Sequence, residues 1–487
     1  MLTLEEIKTF MDQDAASTKK QHAKTGRRYY EADHDIRNSR IFFINAEGKL
    51  QEDKHKSNIK ISHPFFTELV DQEVQYMLSG QEGFVKSDTP ELQAHLDAYF
   101  NENEDFTSEL YEVLTGCVSK GFEYAFAYKD EEGRTAFQCA DSIGVVEVRA
   151  KDTDDHCEYI IYWYFDRVEK GTKMVKRIQV WTDKETHFFV QVDDGEIKKD
   201  DSVKLNPKPH NIYHVNGHAH GDSYGFIPFF RLDNCKKQFS GLKPVKDLID
   251  DYDLMSCGLS NNIQDTNEAL YVVKGFSGDN MDELMTNIRA KKHIGVDEDG
   301  DVEIRTIDIP YQARQAKLEL DEKNIYRFGF GLNTAGLKDT AATTNIAIKA
   351  AYSLLDLKVN KLEIRLKQFM RKLLKVVLAE INEENGTDYR QSDVYFTFDR
   401  ELPVNEQENA QVELTDAQRR ATEISTLLNL ATKLDNETLM QQICEQLDLD
   451  YNDLKDKLPD PEEDPKATQT VLDAIDTEEP DGGDMIE

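Results

Sequence analysis

The sequence predicts an α+β protein that is mainly helical, with its antiparallel strands gathered in the first half. Three patterns carry this expectation. Apolar residues recur at helical spacing through the first 130 residues and through much of the chain after 241. Alternating, aromatic-rich runs broken by glycine turns fill about 121–230. An apolar stripe stepping alternately by four and three runs through about 345–382, and no proline interrupts residues 311–402. With 487 residues, 39% of them hydrophobic, the chain can build more than one packed region.

The first helices can be placed by their ends. PFFTELVDQEVQYMLSG puts Phe65, Leu69, Val70, Val74 and Met77 on one face, with Pro64 at the start and Gly80 past the end. DFTSELYEVLTGCVSKG repeats the design and stops at Gly121. Upstream, KTGRRYYEADHDIRNSR is a basic and aromatic cluster, readable as a nucleic-acid or partner contact or as a surface helix paired to acids; the second reading is favoured.

The strand block reads as a meander of FEYAFAYKDEEGR, EYIIYWYFDRVEKGTKMVKRIQVW and THFFVQVDDGEIKK. It contains His210, His214, His218 and His220. His210 and His214 have the spacing of a helical metal pair, but Pro207, Pro209, Asn216 and Gly217 argue against a helix and no HExxH glutamate follows, so no metal is assigned. A helix opening near Pro244 comes next, with Leu248, Tyr252, Met255, Leu259 and Ile263 on one side and Asp247, Asp250, Asp251, Asp253 and Asp265 on its other faces. YVVKGF reads as a strand, DNMDELMTNIRAKK as a short helix, and HIGVDEDGDVEIRTIDI as a hairpin turning at Gly300. Asp297, Asp299 and Asp301 mimic the start of a calcium loop, but its closing glutamate is missing.

Pro310 starts a further helix that runs into GLNTAGLKDTAATTNIAIKAA, residues 331–351. Gly331 and Gly336 have P-loop separation, yet Leu337 stands where the lysine belongs and Asp339 follows Lys338, so a phosphate would be repelled. The stretch reads instead as a small, hydroxyl-rich loop able to project about 20 Å at about 3.3 Å per extended residue. Thr343 or Thr344 would cap the helix that follows. That helix carries Ile348, Tyr352, Leu355, Val359, Leu362, Leu366, Phe369, Leu373 and Val376 as a heptad stripe. Between 345 and 380 its eight basic residues outnumber three acids. Either DNA or an acidic neighbouring subunit could meet them; the second is favoured. Residues 404–458 look helical and amphipathic, and the last 29 hold eleven acids and one lysine, the composition of a solvated tail.

Charge and chemistry exclude several classes. A formal net charge of -35 disfavours wrapping nucleic acid with the whole surface. Six scattered cysteines without CxxC spacing point to free thiols in a reducing compartment. The first twenty residues lack a signal-peptide core, and no apolar stretch is long enough to span a membrane. No GxSxG, HExxH or Cys/His nucleophile motif appears, so neither a catalytic residue nor a cofactor is assigned.

With these elements in order, the chain resembles the portal proteins (head-to-tail connectors) of tailed bacteriophages, in the branch of long-tailed phages of Gram-positive bacteria. The resemblance covers about residues 20–460. It is carried by GRRYYEADHDIRNSR, NIKISHPFFTELVDQEVQYMLSG, SKGFEYAFAYKDEEG, GFIPFFRLDNCKKQFSGLKPVKDLIDDYDLMSCGLSNNIQD and RFGFGLNTAGLKDTAATTNIAIKAAYSLLDLKVNKLEIRLKQFM, in the family's order.

The resemblance implies the portal fold: a wing over 1–240, with the sheet at about 121–230, a stem helix over 241–268, a clip over 269–309, and a second stem helix over 310–329. A tunnel loop over 330–344 follows, then the long wing helix and a strand over 345–403, a crown over 404–458 and an acidic flexible tail over 459–487. It also implies a homo-oligomeric ring, usually of twelve copies in the virion, at one capsid vertex, assembled in the host cytoplasm. Double-stranded DNA would pass through without sequence specificity. Partners would be the large and small terminase subunits, scaffolding and major capsid proteins, and head-completion or adaptor proteins, with no membrane. On this basis Asn333, Thr334, Lys338, Asp339, Thr340, Thr343 and Thr344 would face DNA, and Asp247, Asp250, Asp251, Asp253 and Asp265 would line the channel. Asp282, Glu283, Arg289, Lys291 and Lys292 are docking candidates on the clip, and Lys367, Arg371 and Lys375 would bridge subunits. Two other readings remain open: a helical scaffold or partner-binding protein without a channel, and a nucleotide-dependent enzyme using residues 331–344.

Overall fold

The computed structural model describes residues 1–45, 47–54, 56–80, 83–149, 157–166, 174–193, 195–215, 218–266, 270–276, 296–305, 310–333, 345–400, 406–429 and 436–446. The chain divides into two units, one of residues 1–342 and 347–402 and a second of residues 343–346 and 403–487.

The larger unit begins with α1 (Leu4–Ala16) and α2 (Thr18–Tyr30). Thr3 and Glu6 form a capping box on α1, and the Ser17 side chain caps α2, which explains why the two helices are separated by a single residue. A two-stranded ribbon, β1 (Phe42–Ile44) and β2 (Leu50–Glu52), follows. Next come α3 (Phe65–Met77), β3 (Val85–Lys86), α4 (Pro90–Leu96) and α5 (Glu104–Lys120). The Asn103 side chain caps α5, and Gly121 ends it at φ 99°, a left-handed conformation that favours glycine. Leu69, Val70, Val74 and Met77 are buried as their spacing predicts. In GRRYY, Arg27 pairs with Glu31 and Asp141, Arg28 pairs with Asp33 and Asp35, and Tyr29 is buried, so these arginines make ion pairs within the chain.

The strand block resolves into separate antiparallel sheets. β4 (Phe122–Lys129) and β5 (Thr135–Ala140) form a hairpin joined on its other edge by β14 (Phe229–Asp233). The meander proper is β6 (Val145–Arg149), β7 (Cys157–Asp166), β8 (Val175–Trp181), β9 (Glu185–Val192) and β10 (Lys198–Lys199), each paired with the next, with β11 (Lys208–Pro209) also on β9. Ile7 and Met11 of α1 pack on this sheet against Val146, Ile161, Ile178 and Phe189. β12 (Asn211–Val215) and β13 (His218–Asp222) make a hairpin. His210 lies against the rings of Trp181 and Tyr224, and burial pushes it down to about 4, which suits a packed neutral ring.

α6 (Lys246–Thr266) leads to β15 (Leu270–Phe276), which pairs with β16 (Val296–Arg305). The turn expected at Gly300 is not there. Gly300 lies inside β16, in the register shift between Lys274↔Asp301 and Phe276↔Val296, because a glycine inside a strand tolerates a bulge. α7 (Tyr311–Gly329) packs on α6, and α8 (Asn345–Asn385) runs for 41 residues, about 60 Å at about 1.5 Å per residue. From Leu355 onward every residue of its expected stripe is buried, and Tyr352 is half-buried. β17 (Tyr395–Phe396) returns to pair with β3. The second unit contributes α9 (Glu406–Asn429) and α10 (Asn436–Gln446), the latter burying Leu439 and Cys444.

Candidate functional site

Residues 330–333, just after α7, form a fixed foot. Ile325, Tyr326 and Gly329 bury the end of α7, and Phe330 closes it at φ 58°. Gln72 of α3 then holds Leu332 as a paired strand would: its Oε1 accepts the Leu332 amide at 2.8 Å and its Nε2 donates to the Leu332 carbonyl at 2.9 Å. Tyr326 donates to Glu68 Oε2 at 2.6 Å, and Asn333 Nδ2 donates to Glu322 Oε1 at 3.3 Å. The backbone comes so close to α3 that a Cβ on Gly331 would stand 2.2 Å from Leu69 Cδ2. The glycine content that resembles a phosphate loop is thus explained at Gly331 by contact with a leucine. Of the loop candidates, Asn333 is in this foot; Thr334, Lys338, Asp339, Thr340, Thr343 and Thr344, with the expected helix cap, lie outside the described residues.

The five aspartates of α6 do not act alike. Asp253 is fully buried. It receives His34 Nδ1 at 2.6 Å, His63 Nδ1 at 2.7 Å and the His63 amide at 3.0 Å. Burial alone would raise its carboxyl, but the hydrogen bonds from His34 and His63 outweigh that and hold it below the usual carboxylate range. Asp253 is therefore not a channel-facing residue, correcting the expectation. Asp250 accepts from the Tyr29 hydroxyl and from Lys246 Nζ. Asp251 and Asp321 share Lys317, which joins α6 to α7. Asp265 is exposed yet accepts the Ser57 amide at 3.1 Å, and Asp247 is exposed.

Asp253 and Asp265 belong to a larger device. The amides of Ser57, Ile59, Ile61 and His63 donate in turn to Asp265 Oδ1, Asn261 Oδ1, Cys257 Sγ and Asp253 Oδ1. Every second residue of this strap meets every fourth residue of α6, running the opposite way. Two extended residues advance about 6.6 Å and four helical residues about 6.0 Å, so the two repeats stay in step over four bonds. Ser256 Oγ lies 3.5 Å from His63 Nε2, beyond the about 2.6–3.2 Å of a nucleophile and its base. The cluster is a joint between strap and helix.

On α8 the inner cations are used within the chain. Lys358 pairs with buried Glu73 at 2.7 Å, and Lys367 with Glu363 at 2.7 Å. Lys375 Nζ stands 5.9 Å from the Phe226 ring centre, and Arg371 is exposed. The same outward side holds Leu354, Leu357, Lys361, Ile364, Gln368, Arg371 and Lys375, all exposed, again in steps of three and four. This second stripe escaped the sequence reading, although its spacing matches that of the first. Gln72 and the strap escaped it too, and no local signal marks either. The clip candidates Asp282, Glu283, Arg289, Lys291 and Lys292, and the helix expected over 279–292, lie outside the described residues, as does the tail over 459–487. Among the described residues no cluster of His, Cys, Asp or Glu could hold a metal ion, and no helix is long and apolar enough to cross a membrane.

Comparison with known proteins gives a consistent result. Residues 12–450 match the family model described as "Phage portal protein, SPP1 Gp6-like". The portal protein of Bacillus phage SPP1 is 28% identical over 349 residues, covering 71% of this chain and 67% of that one. The portal protein of Clostridium phage phiCD119 is 25% identical over 432 residues, covering 84% and 89%. Among solved structures, a chain from "Neck of native GTA particle computed with C12 symmetry" aligns over 78% of this chain and 89% of its own at 10% identity, with a TM-score of 0.39.

Proposed function

Because the chain belongs to the SPP1 Gp6-like family of phage portal proteins, structural and non-enzymatic proteins that form rings at a capsid vertex, we propose that it forms a passive conduit for double-stranded DNA. In this reading twelve copies assemble in the host cytoplasm, nucleate the capsid with scaffolding and major capsid proteins, and dock the terminase. Head-completion proteins replace the motor once the genome is in. Residues 1–240 are assigned to the wing, α6 and α7 to the stem, 269–309 to the clip, with its docking candidates, 330–344 to the tunnel loop and 404–458 to the crown.

The observation that carries this reading is the foot at Leu332, held by Gln72 just after α7, with a 41-residue helix beginning at Asn345. A fixed foot lets a short, hydroxyl-rich segment touch a moving polymer repeatedly without anchoring it. Duplex DNA carries a charge about every 1.7 Å, so the wall behind such a loop must repel more than it binds. Asp247 is exposed on α6, whereas Asp251 is paired with Lys317 and Asp265 accepts the Ser57 amide; a ring would repeat Asp247 in a circle, its repulsion reaching over the Debye length of about 8–10 Å. Arg371 and Lys375, beside Leu354, Leu357 and Ile364, give α8 a face suited to an acidic neighbouring subunit.

Negative-stain micrographs of the purified protein should show annular particles with a central hole, and those particles should hydrolyse no ATP without a terminase. Deleting residues 334–342 should leave the rings intact and lower the amount of packaged DNA. Normal packaging by such rings would remove the loop's assigned role, and absence of annular particles across salt conditions would overturn the conduit itself.

A further inference from the structure

The β1–β2 ribbon is out of keeping with the rest of the chain. Its register pairs Phe42 with Glu52, Phe43 with Gln51 and Ile44 with Leu50. Directly opposed residues share a face, so Phe42, Ile44 and Leu50 stand together on one side with Glu52, whose carboxylate lies 3.8 Å from Arg40 Nη1. All three face solvent, at 49%, 72% and 70% exposure, and Phe43 on the other side is 42% exposed. Among the described residues the ribbon has no third strand, and a lone two-stranded ribbon is marginal in water unless something covers it. None of these four side chains belongs to a buried core of the larger unit.

Charge says what covers it. Residues 37–60 carry six basic side chains (Arg37, Arg40, Lys49, Lys54, Lys56 and Lys60) against three acidic ones (Glu47, Glu52 and Asp53), in a chain whose formal net charge is -35. The segment is a cationic, apolar-faced arm on a strongly acidic body. Copies of such a body repel one another, and a closed head-to-tail ring joins two different surfaces of each copy. The arm supplies one surface that is attractive to the acidic remainder of an identical chain.

We propose that the β1–β2 ribbon docks on the adjacent copy in the ring, seating Phe42, Ile44 and Leu50 against it while the basic side chains of the arm meet its acidic surface. This rests on the ring-forming reading above. The strap at residues 57–63, bonded to α6 four times, gives the arm a firm root, so docking of the ribbon fixes the neighbour relative to the stem helix of its own subunit.

The test compares the full-length wild type with Phe42→Ser/Ile44→Ser/Leu50→Ser and with Arg40→Glu/Lys49→Glu/Lys54→Glu. Analytical ultracentrifugation over a concentration series reads assembly, and circular dichroism with thermal unfolding of the dissociated subunit reads folding. Both variants should keep the wild-type spectrum and melting temperature, since the ribbon makes no core contact. Both should need at least about tenfold more protein to form rings, and salt should weaken wild-type assembly more than that of the charge variant. If wild type forms no rings, the ring reading itself fails. If wild type and both variants assemble with the same midpoint, only the ribbon proposal fails. Rings that form normally but are no longer incorporated into capsids would also overturn it, and would give the ribbon to a capsid or scaffolding partner instead.

Discussion

Replacing Asp253 by alanine tests whether this aspartate is a joint or a channel wall. The carboxylate is fully buried and satisfies three donors, His34 Nδ1, His63 Nδ1 and the His63 amide, at 2.6, 2.7 and 3.0 Å. Removing it strands the buried His34 imidazole, the half-buried His63 imidazole and one backbone amide. One orphaned donor costs about 1–3 kcal/mol, but such losses are not additive within one network. A loss of about 2–4 kcal/mol, more than one orphaned donor but less than three added together, is therefore the better figure. Against a typical total of about 5–15 kcal/mol that is a severe loss. It should appear as a lower urea midpoint at fixed protein concentration, followed by the fluorescence of Trp163 and Trp181. Hydrogen exchange should locate it, with protection lost first at the amides of Ile59, Ile61 and His63. Asp247→Ala, at an exposed position on the same helix, should stay within about 0.5 kcal/mol of wild type. Were Asp253→Ala to unfold like wild type while DNA packaging failed, the joint would be the wrong reading and the aspartate would be acting on the DNA.

Two further outcomes follow from the same geometry. Burial works to raise Glu147, but Arg231, Lys19 and Arg149 hold it at about 2, against about 4.3 unfolded; its stabilisation is therefore present above about pH 4 and lost as pH falls toward 2. Unfolding measured from pH 6 down to pH 3 should fall more steeply for wild type than for Glu147→Gln, and parallel curves would refute the attribution. Gln72→Ala removes both bonds to Leu332 and should cost about 1–2 kcal/mol; rings should persist, and trypsin should cut at Lys338 several-fold faster, so an unchanged rate would mean that Gln72 does not hold the foot.

Much of this fold was legible because burial imposes a period. The α8 stripe from Leu355 to Val376, the α3 face from Leu69 to Met77 and the α5 stop at Gly121 each follow from spacing or from a residue that only one backbone conformation suits. What failed to show was long-range pairing. β14 joins β4 across about a hundred residues of intervening chain, and no local pattern distinguishes that return from one more turn of a meander. Gly300 shows a smaller version: glycine beside aspartates is common to a tight turn and to a bulge, and only the partner strand decides between them. Gln72 is a polar residue on a helix whose apolar face was already accounted for, so nothing local marks it as the clamp on Leu332.

The acids of α6 show why composition alone misplaces a channel wall. A helix turns about 100° per residue, so Asp251 and Asp253, two apart, point about 200° away from each other. If one faces the strap, the other must face away from it. The row Asp253, Cys257, Asn261 and Asp265 advances by fours, and such a row winds around the helix at about 26° to its axis. The strap follows that row, accepting a slow turn in exchange for a bond at every second residue. An oxygen that accepts an amide and an oxygen that repels a phosphate are chemically identical, so the sequence presents both as acid on a helix. Only the chain lying across one of them separates the roles: Asp253 lies under the strap, and exposed Asp247 does not.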